Sequence, residues 1–182
     1  MRAQRRVCAR AADAAPGAGF FDPLHHGHID YLQHAKSLAR NEDGPGTLWV
    51  IINSDEQASR KKGKEFMPAS ERLKLVRSLR CVDACIIACD ADDSVSKTIE
   101  AIHPDVFAIG LDEGQDYMKE EKDTCRRLGI QVVCPLGQRV QSSSYLIAKA
   151  KEAEETKKKA AAAKAAAPVA AAEESPSKKQ KA

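Results

Sequence analysis

Between Gly19 and Ala150, short aliphatic runs alternate with stretches of helical periodicity. That alternation restricts the chain to an α/β architecture, a parallel sheet wrapped by helices. Leu48-Trp49-Val50-Ile51-Ile52 is a continuous apolar run, as a strand buried on both faces requires. Ala84 to Ala88, Val106 to Ile109 and Ile130 to Cys134 read as further strands. Ser70 to Arg80 reads as a helix, with Leu73, Val76 and Leu79 along one side; a second, marked by Val95, Ile99 and Ile102, stops before Pro104, and Lys119 to Leu128 is a third. The opening strand is weakly written. Residues 11 to 18 contain no β-branched side chain and include Pro16, so either a poor strand is forced there by context or Arg2 to Ala12 takes its place.

Ligands of such sheets bind at the carboxyl ends of the strands, and one segment there is rich in chemistry. Gly19-Phe20-Phe21-Asp22-Pro23-Leu24-His25-His26-Gly27-His28 reads as a turn that delivers His25 and His28 onto a helix start. Ile29, Leu32, Ala35 and Ala39 follow at helical spacing, which places that start near Gly27. Unpaired N–H groups and the positive end of the helix dipole attract phosphate at such a place, and Gly27 lets a ligand approach the backbone. Two histidines three apart are also half of a metal site, but no His or Cys pair follows at finger-like spacing. Gly17-Ala18-Gly19 is no dinucleotide fingerprint, because Asp22 stands where its third glycine belongs.

The pattern Gly19-x-Phe21-Asp22-x-x-His25-x-Gly27-His28 resembles the signature of the cytidylyltransferase-like nucleotidyltransferases, which include glycerol-3-phosphate cytidylyltransferase and heptose-1-phosphate adenylyltransferase. The resemblance extends over roughly residues 19 to 150. Arg60-Lys61-Lys62-Gly63-Lys64, followed by Phe66-Met67-Pro68-Ala69-Ser70-Glu71-Arg72, is similar to that family's lysine loop and the helix after it. Leu79-Arg80-Cys81-Val82-Asp83 matches a recurrent segment at the start of the next strand, and Ser142-Ser143-Ser144 resembles the cluster that opens the last helix. The fold implied is a doubly wound parallel sheet, a Rossmann-like nucleotidyltransferase fold, with a C-terminal tail part helical and part disordered.

The resemblance also implies a reaction: CMP or AMP passes from a nucleoside triphosphate to a phosphorylated alcohol or sugar, and pyrophosphate leaves. His25, His28 and Lys61 are implied as catalytic, with the lysines of a mobile loop closing over phosphates. Gly19, Phe21, Asp22, Gly27, Lys64, Arg72, Gly110, Asp112, Arg139, Ser142, Ser143 and Ser144 are implied as nucleotide-binding. Leu111 departs from the smaller or polar residue usual between Gly110 and Asp112, which leaves base and acceptor open. Mg²⁺ is expected with the triphosphate, held largely by phosphate oxygens, and no protein metal site is expected. The alternative reading is a catalytically impaired nucleotide-binding or scaffold protein.

Charge narrows the partners. The chain of 182 residues carries a net charge of +3, and residues 151 to 182, with eight Lys and five Glu, account for all of it. The neutral body argues against a nucleic-acid face. No run is long enough to cross a membrane. The six cysteines form no Cys-x-x-Cys pair and read as small buried thiols of a reducing compartment. A cytoplasmic enzyme is expected, with a homodimer as an option. The Arg- and Ala-rich start resembles a mitochondrial transit peptide only weakly. The division expected is an N-terminal segment over 1–16, a nucleotidyltransferase domain over 17–150, and a Lys/Ala-rich tail over 151–182 that frays into disorder.

Overall fold

A computed structural model describes residues 4–10, 20–40, 44–110, 118–134 and 143–165. Gly19, Asp112, Arg139 and Ser142 lie outside those residues, as do Leu111 and the end of the tail. The elements in chain order are β1 (Arg6–Arg10), α1 (His26–Leu38), β2 (Thr47–Ile52), α2 (Asp55–Lys62), α3 (Ala69–Arg77), β3 (Ala84–Ile87), α4 (Ser96–Ile102), β4 (Val106–Ile109), α5 (Lys119–Leu128), β5 (Gln131–Val133) and α6 (Ser143–Ala165). The strands form one sheet in the order β3-β2-β1-β4-β5, and every neighbouring pair is parallel.

The two sheet faces bury different residues of the same strands, as period-two alternation demands. Val7, Ala9, Val50 and Ile52 pack with Tyr31, Leu32 and Ala35 of α1 and Val76 of α3. Cys8, Ile51, Phe107 and Ile109 pack with Val95, Ile99 and Ile102 around α4 and with Cys125 of α5. Helices therefore cover both faces, and the fold is the doubly wound, Rossmann-like sheet that the alternation predicts. Because β2 and β3 lie on one side of β1 and β4 and β5 on the other, the chain reverses direction across the sheet between β1 and β4.

The central strand comes from Arg6–Arg10 and thus from the earlier of the two stretches offered by the sequence. Its arginines are tolerable in that position because their polar ends are used. The Arg6 guanidinium donates to Ile102 O at 2.6 Å and lies over the Trp49 ring at 5.4 Å. Arg10 is buried with Glu121, at 2.5 Å.

Two expectations need correction. Lys61 and Lys62 do not belong to a loop, because they end α2. Ser54 and Gln57 form a capping box at its start, and Gly63 ends it at φ 78°, a left-handed conformation that glycine adopts without strain. Helix α3 ends at Arg77, three residues short of Arg80; Ser78 turns its hydroxyl back to Leu75 O at 2.7 Å.

The cysteines also differ in part from expectation. All six are free, but only Cys8 and Cys125 are fully buried; Cys81, Cys85 and Cys134 are half-buried and Cys89 is exposed. Burial pushes the thiols of Cys85 and Cys125 up to about 12. At pH 8 only about one molecule in 10⁴ then carries either thiolate, so iodoacetamide is expected to label Cys89 well before Cys85 or Cys125, as peptide mass spectrometry would read.

Helix α6 continues past the division between Met1–Leu146 and Ile147–Ala182. In the second unit its described side chains are mostly solvated and include an i,i+4 pair, Glu154 with Lys158 at 2.7 Å. No helix among the described residues is long and apolar enough to cross a membrane.

The connection from α1 to β2 passes so close to other backbone that Gly46 cannot carry a side chain. A Cβ there would stand 2.1 Å from Arg5 O and 2.3 Å from Ala39 O. Gly46→Ala is expected to cost about 2–3 kcal/mol, the upper part of the range for overpacking, and urea denaturation measures it.

Candidate active site

The turn after β1 is built around a buried carboxylate. Asp22 is fully buried, and its Oδ2 and Oδ1 accept the backbone N–H groups of Phe66 and Met67, each at 2.7 Å. Two charge-assisted bonds from successive amides fix the α2–α3 connection against the turn. Phe21, just before it, stands at φ 55°, a conformation costly for an aromatic residue, on the order of 1–3 kcal/mol. Its buried ring lies 4.9 Å from the ring of His28.

His25 is the residue that caps α1, in extended conformation, and His28 sits three residues further in the first turn. The two imidazoles stack, 3.7 Å apart and 17° from parallel. The His25 backbone N–H donates to His28 Nδ1 at 3.3 Å. With Nδ1 accepting, a neutral His28 ring carries its proton on Nε2, so that nitrogen is a donor. Gly27 lies between them, half-buried, in the same turn.

Tyr31, one turn further along α1, anchors that pair to the sheet. Its hydroxyl lies 2.9 Å from Arg10 O and 2.7 Å from Ala108 O, and donates its one proton to either. Those carbonyls belong to the carboxyl ends of β1 and β4, the two strands between which the sheet reverses. Burial pushes the Tyr31 phenol well above its ordinary value, so the hydroxyl keeps its proton and remains a donor. Gly110 follows β4 directly and opens the other flank of that crevice.

The remaining sequence candidates fall into three groups. Ser143 is buried at the start of α6, and its hydroxyl donates to Pro23 O at 2.9 Å, bringing the first turn of α6 against the histidine turn. Ser144 lies in the same turn, its side chain outside the described residues. Lys61 is half-buried, with Nζ 5.8 Å from the centre of the Phe20 ring, and Lys64 is exposed beyond Gly63.

Arg72, like Phe21 and Asp22, is placed otherwise than expected of a nucleotide-binding residue. It is fully buried, and its guanidinium donates to Met67 O at 2.9 Å, Phe20 O at 3.2 Å, Asn53 O at 2.9 Å and Asp55 Oδ1 at 2.8 Å. A group so committed holds the turn, β2 and the α2–α3 connection together, and phosphate contact is not what this geometry offers.

A buried polar network beside the site escaped sequence reading. The Arg10 guanidinium donates to Glu121, to Asn53 Oδ1 at 3.3 Å and to Asp93 O at 3.2 Å. The Asn53 amide donates to Gln57 Oε1 at 2.8 Å, and the Gln57 amide donates to Asp92 O at 2.7 Å and Ser94 O at 2.8 Å. The end of β1, the start of the connection after β2 and the loop after β3 are thereby tied together. No group of three or more His, Cys, Asp or Glu among the described residues is arranged to hold a metal.

The site thus joins a helix start, a stacked histidine pair and a second helix start at the switch point of a parallel sheet. The family model described as cytidylyltransferase-like matches residues 18–156. The chain belongs to the cytidylyltransferase-like family. This cytidylyltransferase-like protein is a nucleotidyltransferase, an enzyme of the nucleotide-binding transferases. It is 37% identical over 109 residues to an FAD synthase from Methanobrevibacter ruminantium, covering 60% of this chain and 69% of that relative. It is 30% identical over 145 residues to an FAD synthase from Methanopyrus kandleri, covering 75% and 93%. A solved lipopolysaccharide core biosynthesis protein from Thermoplasma volcanium superposes with a TM-score of 0.55 and 29% identity, over 74% of this chain and 98% of that one.

Asp22→Asn keeps the shape but leaves one oxygen for two backbone donors and removes the charge that strengthens both bonds. A loss of about 2–3 kcal/mol in stability is expected, together with reduced turnover, from chemical denaturation and a pyrophosphate-release assay on the same sample.

Proposed function

We propose that this nucleotidyltransferase transfers AMP from MgATP to FMN, giving FAD and pyrophosphate. Support for the transfer step comes from the stacked His25–His28 pair at the start of α1, placed at the switch point. Support for this choice of substrates comes from the relatives named FAD synthase. FMN is a phosphorylated alcohol on a ribityl chain, within the acceptor class that the sequence suggests. Magnesium is assigned to enter with the nucleotide, held largely by phosphate oxygens.

The nucleophile is the phosphate monoester of the acceptor, whose second pKa lies near 6, so at neutral pH it is mostly a dianion and needs no general base. Its oxygen attacks the α-phosphorus of ATP. The bond from that phosphorus to the bridging oxygen of the β-phosphate breaks, and its electron pair leaves with pyrophosphate. The work left to the protein is alignment and stabilisation of charge on the α-phosphoryl oxygens. His28 Nε2, His25 and the open N–H groups of α1 are the donors we assign there, with Gly27 leaving room for the phosphate. Ser142, Ser144 and Arg139, with the backbone N–H of Ser143, are assigned to the β- and γ-phosphates, the Ser143 hydroxyl being committed to Pro23 O, and Gly19, Gly110 and Asp112 to the nucleotide. Lys61 and Lys64 are assigned as point charges at the edge of the phosphates.

A preorganised donor to a transition-state oxygen is worth about 3 kcal/mol, roughly a hundredfold in rate. His25→Ala and His28→Ala are each expected to lower kcat for FAD formation by about that factor or more while the thermal melt stays cooperative. Near-wild-type turnover in both variants would remove the assigned role. MgATP is expected to raise Tm, and no shift at millimolar nucleotide would argue against nucleotide binding at this site.

A further inference from the structure

Phe66 has no part in the phosphate chemistry, and its surroundings are unusual. The other three phenylalanines are buried, Phe20 at 3%, Phe21 at 1% and Phe107 at 0% exposure, whereas Phe66 is 63% exposed. Isolated exposed apolar residues are ordinary on flexible surface loops. This one stands on backbone that is bonded on several sides. The Phe66 N–H donates to Asp22 Oδ2 and the Met67 N–H to Asp22 Oδ1, while Met67 O accepts from Arg72 Nε. Just before it, Ser59 donates to Glu65 Oε2 at 2.9 Å, fastening the connection to α2. The fold therefore spends a buried carboxylate and a buried guanidinium on holding an aromatic ring in solvent. That carboxylate lies three residues before His25.

We infer that Phe66 is a specificity-determining residue, a stacking platform for the planar ring system of the acceptor. This rests on the reading of the acceptor as FMN, whose isoalloxazine offers a broad aromatic face. The topology indicates which substrate it meets. Gly110, assigned to the nucleotide, follows β4 on one side of β1, whereas Phe66 follows α2, which leaves β2 on the other side. An acceptor whose phosphate lies at the histidine turn, with its ring on the β2 side, passes the α2–α3 connection. Lys64, two residues before Phe66, stands on the same connection. Stacking on an aromatic side chain is selective for a flat ring and blind to its edge pattern, so it sorts ring-bearing acceptors from phosphorylated polyols.

The test compares wild type with Phe66→Ala and Phe66→Trp in steady-state FAD formation, with ATP and FMN varied separately, and reads quenching of FMN fluorescence on binding. Since the side chain is exposed, all three proteins are expected to melt together. Phe66→Ala is expected to raise KM for FMN about tenfold and to weaken quenching, with KM for ATP changed less than about twofold, while Phe66→Trp restores both. An unchanged KM for FMN in an active Phe66→Ala enzyme would overturn the platform and leave the FAD-synthesis reading intact. A rise in KM for ATP alone would also overturn it, because the ring would then serve adenine. A wild type that neither forms FAD nor quenches FMN would sink the acceptor reading itself, and the platform for isoalloxazine with it.

Discussion

One buried hydroxyl joins the parts of the site that must not drift. Tyr31 bonds to carbonyls at the ends of both β1 and β4, and it lies one turn along α1 from His28. In a parallel sheet the connections that leave the strands on either side of the reversal run to opposite faces, which opens a crevice for ligands at the carboxyl ends. An apolar side chain in the place of Tyr31 could fill space but would remove the one donor that the two carbonyls share in a dry interior, a cost of about 1–3 kcal/mol. The phenol closes the inner end of the crevice and leaves its mouth to the backbone amides of α1. The positions of His25 and His28 are then tied to the sheet through α1 as well as to the turn that precedes them.

The turn has its own supports, and they are charged. Asp22 and Arg72 are both fully buried, an expensive placement unless every charge is answered. Here they answer backbone groups more than each other. Asp22 takes two amides, and Arg72 gives to three carbonyls and to Asp55. Lysine could not replace Arg72, because a single ammonium lacks the planar fork that reaches Phe20, Asn53 and Met67 together. On the other face of the sheet Arg10 and Glu121 do similar work, through Asn53 and Gln57. Asn53 is the common member: its carbonyl receives Arg72 and its side chain receives Arg10. The end of β2 is thus tied from both faces.

The elements legible in the sequence are those whose burial is apolar. Strands β2 and β4 are continuous aliphatic runs, and α5 begins and ends where its pattern does, at Lys119 and Leu128. Helix α2 is hard to read because its inward face is made of Gln57 and Ala58 and the rest is polar, so its signals are confined to its ends, the capping box of Ser54 and Gln57 and the terminating Gly63, and periodicity is silent. Strand β1 is obscured by its two arginines. They become acceptable only when Ile102, Trp49, Glu121 and Asn53, all distant in the chain, are brought to them. The same reason explains Arg72. A motif shows that an arginine follows the lysines, but only the fold shows that the guanidinium points inward to four oxygen atoms.

The division of labour in the site follows from the chemistry of the nucleophile. In the proposed reaction the acceptor's phosphate monoester arrives already ionised, so no residue has to titrate near neutral pH for the step to proceed. Fixed donors suffice, and fixed donors are what a helix start on a rigid sheet provides. Selection of the acceptor, on that reading, does not reside in the histidine turn, which is assigned to phosphate. It must lie with side chains further out, on connections such as that between α2 and α3. There the backbone is pinned by Asp22 and Arg72, while exposed positions can vary without disturbing the phosphate geometry. A relative named FAD synthase and a solved protein named for lipopolysaccharide core biosynthesis are both similar to this chain, as a shared frame with variable outer connections allows.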